Sequence, residues 1–217
     1  MKRLACIAVA LSLGAVSAVS ALSAELLIFG EAHDQPDQQR QVADEVQRLA
    51  ADGRLAAVVL EMAETPRSTA GLPRDATEAQ VQLSLQWRNW PWERYAAVVM
   101  NAVRAGVPVQ GGNLPREQMR AAMADPSLDA SLAQPARALL AHEVRDGHCG
   151  MLPEAQVPGM VRVQIARDRA MAAPAAQAMR EAGPRQTVLL LAGAQHASRD
   201  RGIPLHHGWI EGDGVRC

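Results

Sequence analysis

Four short apolar runs punctuate the chain, and each ends in glycine or a polar side chain. Residues 26–34 (LLIFGEAHD) pass from four apolar positions into Gly30, Glu31 and His33. Residues 58–61 (VVLE), 107–113 (VPVQGGN) and 188–196 (VLLLAGAQH) repeat the arrangement. Continuous apolar runs of this length predict strands buried on both faces, as in a parallel sheet covered by helices. The predicted strands are residues 26–29, 56–60, 107–110 and 188–191. A helix is expected over 36–51, with Asp34 as its N-cap, Pro36 in its first turn and Val42, Val46 and Leu49 on one buried face. Further helices are expected over 77–87, 91–105, 114–124, 132–146 and 160–181, the last interrupted or kinked near Pro174. Residues 65–76, rich in Pro, Gly and Thr, read as a loop.

The fold class that follows is α/β: a mainly parallel β-sheet flanked by helices. The helices within 77–146 do not read as simple crossovers. They predict a small helical subdomain over the carboxyl ends of the strands, enclosing a pocket. Ligands of open parallel sheets bind beyond those ends. Glu31, His33, Glu61, Asn113 and His196 each follow a predicted strand, so one architecture would bring them to one rim.

Composition adds limits. A chain of 217 residues suits one domain with a sizeable core. Its 22 basic and 23 acidic side chains give no reason to expect nucleic acid as a partner. Residues 1–24 read as a secretory signal peptide: Lys2 and Arg3, then an apolar run, then small residues suited to cleavage. Residues 25–217 form the single expected domain, exported to the periplasm or envelope. Cys6 precedes the apolar run rather than following it, so no lipid-attachment box is present. An exported chain retains Cys149 and Cys217, which are expected to pair; the competing reading makes Cys149 a soft ligand for a metal or haem.

Aromatic residues are few, yet residues 87–95 hold three Trp and the only Tyr. Such a cluster is either core or a wall facing a ligand. Carboxylates and imidazoles at strand ends have three uses: binding a metal, general acid–base catalysis, or a buried polar network without chemistry. For Glu31, His33, Glu61 and His196 the pairing of separate strand exits favours a site. His148 reads equally as a ligand or as a satisfied histidine at a helix end. Arg167 and Asp168 read as a structural ion pair, Asn113 as a turn residue, and His206 and His207 as surface. No Gly-x-Ser-x-Gly elbow and no Gly-Lys-Ser/Thr phosphate loop occurs, which removes serine hydrolases and P-loop enzymes from consideration.

An ordered set of short motifs carries a resemblance. It comprises Gly30-Glu31-x-His33-Asp34, Leu60-Glu61, Trp90-Pro91-Trp92-x-x-Tyr95, Asn113-Leu114-Pro115, His148-Cys149-Gly150, Gln164-x-x-Arg167-Asp168-x-x-Met171-Ala172, Ala192-Gly193-x-x-His196 and Gly202-Ile203-Pro204. In this order they resemble the ChaN family, within the group that includes Tiki proteases and erythromycin esterase-like proteins. The resemblance implies a parallel-sheet domain with a smaller helical part. It also implies haem as the ligand, held between two subunits with a tyrosine on the iron, and a role in iron or haem uptake with an outer-membrane system. Tyr95 is the only tyrosine available for that role; His148, Trp90 and Arg94 complete the expected haem contacts. The alternative is a metal-dependent hydrolase, with zinc or another divalent ion on Glu31, His33, Glu61 and His196.

Overall fold

The computed structural model describes residues 23–206 and 215–217. Strand β4 (Thr187–Gly193) is buried at every position because it lies at the centre of a sheet covered on both faces. Its neighbours are β1 (Glu25–Glu31) and β2 (Leu55–Glu64); β3 (Val109–Asn113) and the two-residue β5 (Val215–Arg216) form the edges. The order is β3-β2-β4-β1-β5, and every strand pair is parallel. The expected runs 26–29, 56–60 and 188–191 lie within β1, β2 and β4, whereas β3 starts only at Val109 and leaves Val107 and Pro108 outside the strands. Each of these four strands extends past its apolar stretch, so that Glu31, Glu61, Asn113 and Gly193 are strand residues rather than residues beyond the strands. Main-chain pairing continues as long as a neighbour is present and does not require an apolar side chain.

Helices α1 (Pro36–Ala51) and α3 (Trp92–Ala105) lie on one face of the sheet. Val42, Val46, Leu49, Tyr95, Val98, Val99 and Ala102 close the first core there. Helix α6 (Val157–Glu181) covers the other face with Met171, Ala172, Ala175 and Ala178, and continues through Pro174. The third core joins Leu128, Leu132, Leu140 and Val144 to Val157, Val161 and Ile165 on the first half of α6. Its helical layer consists of α4 (Met119–Ala124), α5 (Gln134–Gly147) and a 3-10 turn at Pro126–Ser131. The stretch 77–146, expected as one helical insertion, therefore divides. Helix α3 connects β2 to β3 and packs beside α1 in the main core, and only the residues after β3 build the separate layer.

Among the described α-helices only α2 (Glu78–Leu85) starts with a side-chain cap. It begins with a capping box: the Gln80 N–H donates to the Thr77 hydroxyl, and the Thr77 N–H donates to the Gln80 side chain. Thr77→Ala should cost about 1 kcal/mol, read as a fall of roughly 2–4 °C in Tm. Helix α1 departs from the expected cap. Its N-cap is Gln35, with no side-chain cap, rather than Asp34. Pro36 at the first turn supplies no N–H to be capped.

Cys149 and Cys217 are free, exposed thiols, which corrects the expected pairing. Cys149 lies in the turn after α5, whereas Cys217 follows the edge strand β5. His206 is also corrected: it is buried at 5% exposure. His207 and residues 1–22 of the expected signal peptide lie outside the described residues. Among the described residues no helix is long and apolar enough to cross a membrane.

Candidate functional site

At the carboxyl end of the sheet, β1 and β4 place Glu31 opposite Gly193, and β2 brings Glu61 alongside. Both carboxylates are buried, at 2% and 3% exposure. Burial of a carboxylate requires donors, and each one has several. Oε1 of Glu31 accepts from the Tyr95 hydroxyl at 2.6 Å and contacts His33 Nδ1 at 2.8 Å. Its Oε2 accepts from Gln39 Nε2 at 2.6 Å. Oε1 of Glu61 accepts from Arg167 Nη2 at 2.5 Å, and Oε2 from the Gly193 N–H at 2.6 Å. Gly193 leaves room for the His33 ring: a Cβ there would stand 2.9 Å from His33 Nε2, so the imidazole would have to shift.

Two imidazoles complete the cluster. His196 pairs through Nδ1 with Asp168 at 2.5 Å and points Nε2 toward Glu61 at 3.7 Å. His33 points Nε2 toward the other Glu61 oxygen at 3.8 Å. Arg167 also donates to Asn113 Oδ1 at 3.0 Å, and Asn113 donates to the Glu61 carbonyl. Glu31, His33, Glu61 and His196 do converge, along a cavity of about 450 Å³ that Leu140, Val144 and His148 also line. Arg167 and Asp168 each bind a different member of the cluster. Their expected mutual ion pair gives way to Glu61–Arg167 and His196–Asp168.

The charges tune one another. The hydrogen bond with Glu31 raises the His33 imidazole above its ordinary 6.5, against burial and with Glu61 assisting. For Glu61, burial pulls the carboxyl up, but His196, Arg167 and the Gly193 N–H outweigh it and hold the group below its ordinary range. Burial drives the Asp168 carboxyl upward, and the His196 hydrogen bond offsets only part. The signs follow by linkage. A protonated His33 stabilises the fold fully below its unfolded value of 6.5, and this is lost as pH rises through the raised folded value. Ionised Glu61 contributes above its unfolded value of 4.5, and this is lost as pH falls through the lowered folded value. An NMR titration should place the His33 midpoint above 6.5, and Glu31→Gln should bring it down.

The expected ligand roles change in this geometry. Tyr95 has no exposed surface, donates to Glu31, and has its hydroxyl pushed far upward by burial and then by that hydrogen bond. It orients Glu31 and is not presented as a phenolate to an iron outside the fold. Arg94 donates to the His33 carbonyl at 2.8 Å and secures the exit of β1. His148 borders the small cavity, its Nδ1 engaged with the Val144 carbonyl. The divalent-metal reading is also corrected. Among the described residues no three of His, Cys, Asp and Glu are grouped to hold a metal ion. The rim carboxylates spend their oxygens on Tyr95, Gln39, Arg167 and Gly193 instead.

Sequence reasoning missed Gln39 as a partner of Glu31 and Asp168 as the anchor of His196. Both left a signal. Gln39 shares the buried stripe of α1 with Val42 and Val46, and Asp168 that of α6 with Ile165 and Ala172. A polar residue in an apolar stripe is the informative position.

A second, wider space lies on the β3 side of Glu61. It is a groove of about 1200 Å³ between the end of β2, the turn after α2 and the segment after β3. Trp90 and Met119 give it apolar surface, while Leu85 and Met62 border it from within the core at 1% and 4% exposure. Arg67, Arg88, Arg116 and Arg120 line it, and among the described residues none of the four side chains forms an ion pair. Glu64 and Glu117 are also present, the former accepting from the Arg116 backbone N–H. Trp90 joins groove and rim, its ring edge-on to His33 with centroids 4.6 Å apart.

A family model described as haem-binding uptake, Tiki superfamily, ChaN matches residues 18–206. Among solved structures, the chain is similar to one described as cofacial heme binding to ChaN of Campylobacter jejuni. The identity is 23%, the coverage 85% of this chain and 76% of that one, and the TM-score 0.66. No curated protein matches the chain significantly.

Proposed function

The chain belongs to the ChaN family of the Tiki superfamily, and from that premise we propose that it is an exported haem-binding protein serving iron or haem uptake. The observation that carries this reading is the wide groove beside Trp90. A porphyrin is flat, apolar on its faces and dianionic at one edge through its propionates. Trp90 and Met119 offer surface for the face, and arginines that form no ion pair among the described residues offer guanidinium groups for the carboxylates. Haem supplies the iron that such a protein would carry. The chain's own residues would hold the macrocycle, screen one face from water and neutralise the propionates.

The buried network of Glu31, His33, Glu61 and His196 supports this by fixing the floor of the groove. Glu61 borders both spaces, and Trp90 rests against His33. Export to the periplasm or envelope rests on the leader-like residues 1–24. A homodimer holding haem between its two copies, and a connection to an outer-membrane uptake system, belong to the same reading. The cofacial binding described for the Campylobacter protein supports the former, and the uptake role described for the family supports the latter.

The test is a haemin titration of the protein, followed through the Soret band. Binding should be micromolar or tighter, about −8 kcal/mol or better. Arg88→Glu combined with Arg120→Glu should weaken it about tenfold or more, the scale of lost charge-assisted hydrogen bonds. Wild-type protein that leaves the haemin spectrum unchanged at that concentration would contradict the function.

A further inference from the structure

We propose that the groove recognises the porphyrin skeleton and its carboxylates rather than the iron, so that it takes iron-free dicarboxylate tetrapyrroles as readily as haem. This rests on the reading of the groove as the haem site. The residues lining the groove include no histidine, cysteine or tyrosine. Among the described residues, the groups that would ligate ferric iron lie outside the groove lining, the exposed Cys149 and Cys217 included. Tyr95 is fully buried beneath Glu31. His33 gives Nδ1 to Glu31, directs Nε2 toward Glu61 and Gly193, and turns its ring against Trp90. His196 is 7% exposed and bound to Asp168. His148 borders the other cavity, beneath α5. His142 pairs with Asp146 on the exposed surface of α5.

The soft atoms that remain in the groove are the thioethers of Met62 and Met119, and Met62 is itself buried at 4% exposure. A thioether is a soft ligand, poorly matched to ferric iron. What the groove does present is the partly exposed Trp90 indole and four guanidiniums that form no ion pair among the described residues, with Arg88 donating to Gln86 and with Glu64 and Glu117 along the same walls. Guanidinium pairs with carboxylate through parallel hydrogen bonds, and the indole face meets any aromatic macrocycle. Neither interaction depends on the metal at the centre of the ring.

The experiment compares haemin with protoporphyrin IX, titrated separately into the full protein and followed by quenching of tryptophan fluorescence. The affinities should agree within about threefold, less than the tenfold that 1.4 kcal/mol of iron coordination would add. Arg88→Glu combined with Arg120→Glu, at exposed positions, should weaken both ligands about equally, by about tenfold or more. Circular dichroism would verify that this variant is folded. Tyr95→Phe and His148→Ala should leave the Soret position of bound haemin where it is in wild type. Haemin binding more than about thirtyfold tighter than protoporphyrin IX would overturn the inference and leave the haem-binding function standing. The same holds if His148→Ala shifts the Soret band. Binding of neither ligand would instead remove the functional reading on which the inference rests.

Discussion

Glu61→Ala is expected to cost about 3–5 kcal/mol of folding stability, the range for breaking a buried ion pair from one side. The carboxylate is 3% exposed and accepts from Arg167 and from the Gly193 N–H. It also stands opposite the Nε2 atoms of both His33 and His196. Its removal leaves a half-buried guanidinium without its carboxylate and a buried N–H without an acceptor. Neither group can recover its hydration without opening the end of the sheet. Glu61→Gln keeps an acceptor for Gly193 and should cost less. Urea denaturation of the three proteins would measure the difference. A loss below about 1 kcal/mol for the alanine variant would mean that the network is not a closed structural unit.

Tyr95→Phe should cost about 1.5–3 kcal/mol, the value of a buried hydrogen bond to a charged group. The ring is conserved in volume and its packing against Val98 and Val99 is untouched, so the hydroxyl alone is tested. Its loss leaves the Glu31 oxygen with His33 and without its shorter partner. The variant should melt lower yet bind haemin with unchanged affinity and an unchanged spectrum. A Soret shift together with undiminished stability would restore Tyr95 as an iron ligand.

The sheet was legible because β1, β2 and β4 lie inside it and carry apolar residues over their central positions; the edge strand β3, VQGGN, was legible only at its first two residues. β5 was not, since two residues at an edge, one of them Arg216, leave no periodicity to read. The expected convergence of Glu31, His33, Glu61 and His196 followed from topology, because parallel strands deliver their exits to one side. Their roles did not follow. Whether a buried carboxylate serves a ligand or its neighbours depends on where Gln39, Tyr95, Arg167 and Gly193 point, and spacing along the chain does not encode this. Tyr95 itself was readable as core, since it lies three and four positions before Val98 and Val99 on one helical face. The groove was invisible in the sequence. Arg67, Arg88 and the pair Arg116 and Arg120 come from three separate segments and meet only once β2 and β3 are paired and the turn after α2 has folded beside them.

Which of the two spaces receives the porphyrin is decided by a crystal structure of the protein with haemin. The macrocycle should lie in the groove against Trp90, with carboxylate density on Arg88, Arg116 or Arg120 and the Glu61–Arg167 pair undisturbed. Porphyrin density in the cavity beneath α5, with the His148 imidazole on the iron, would contradict this placement.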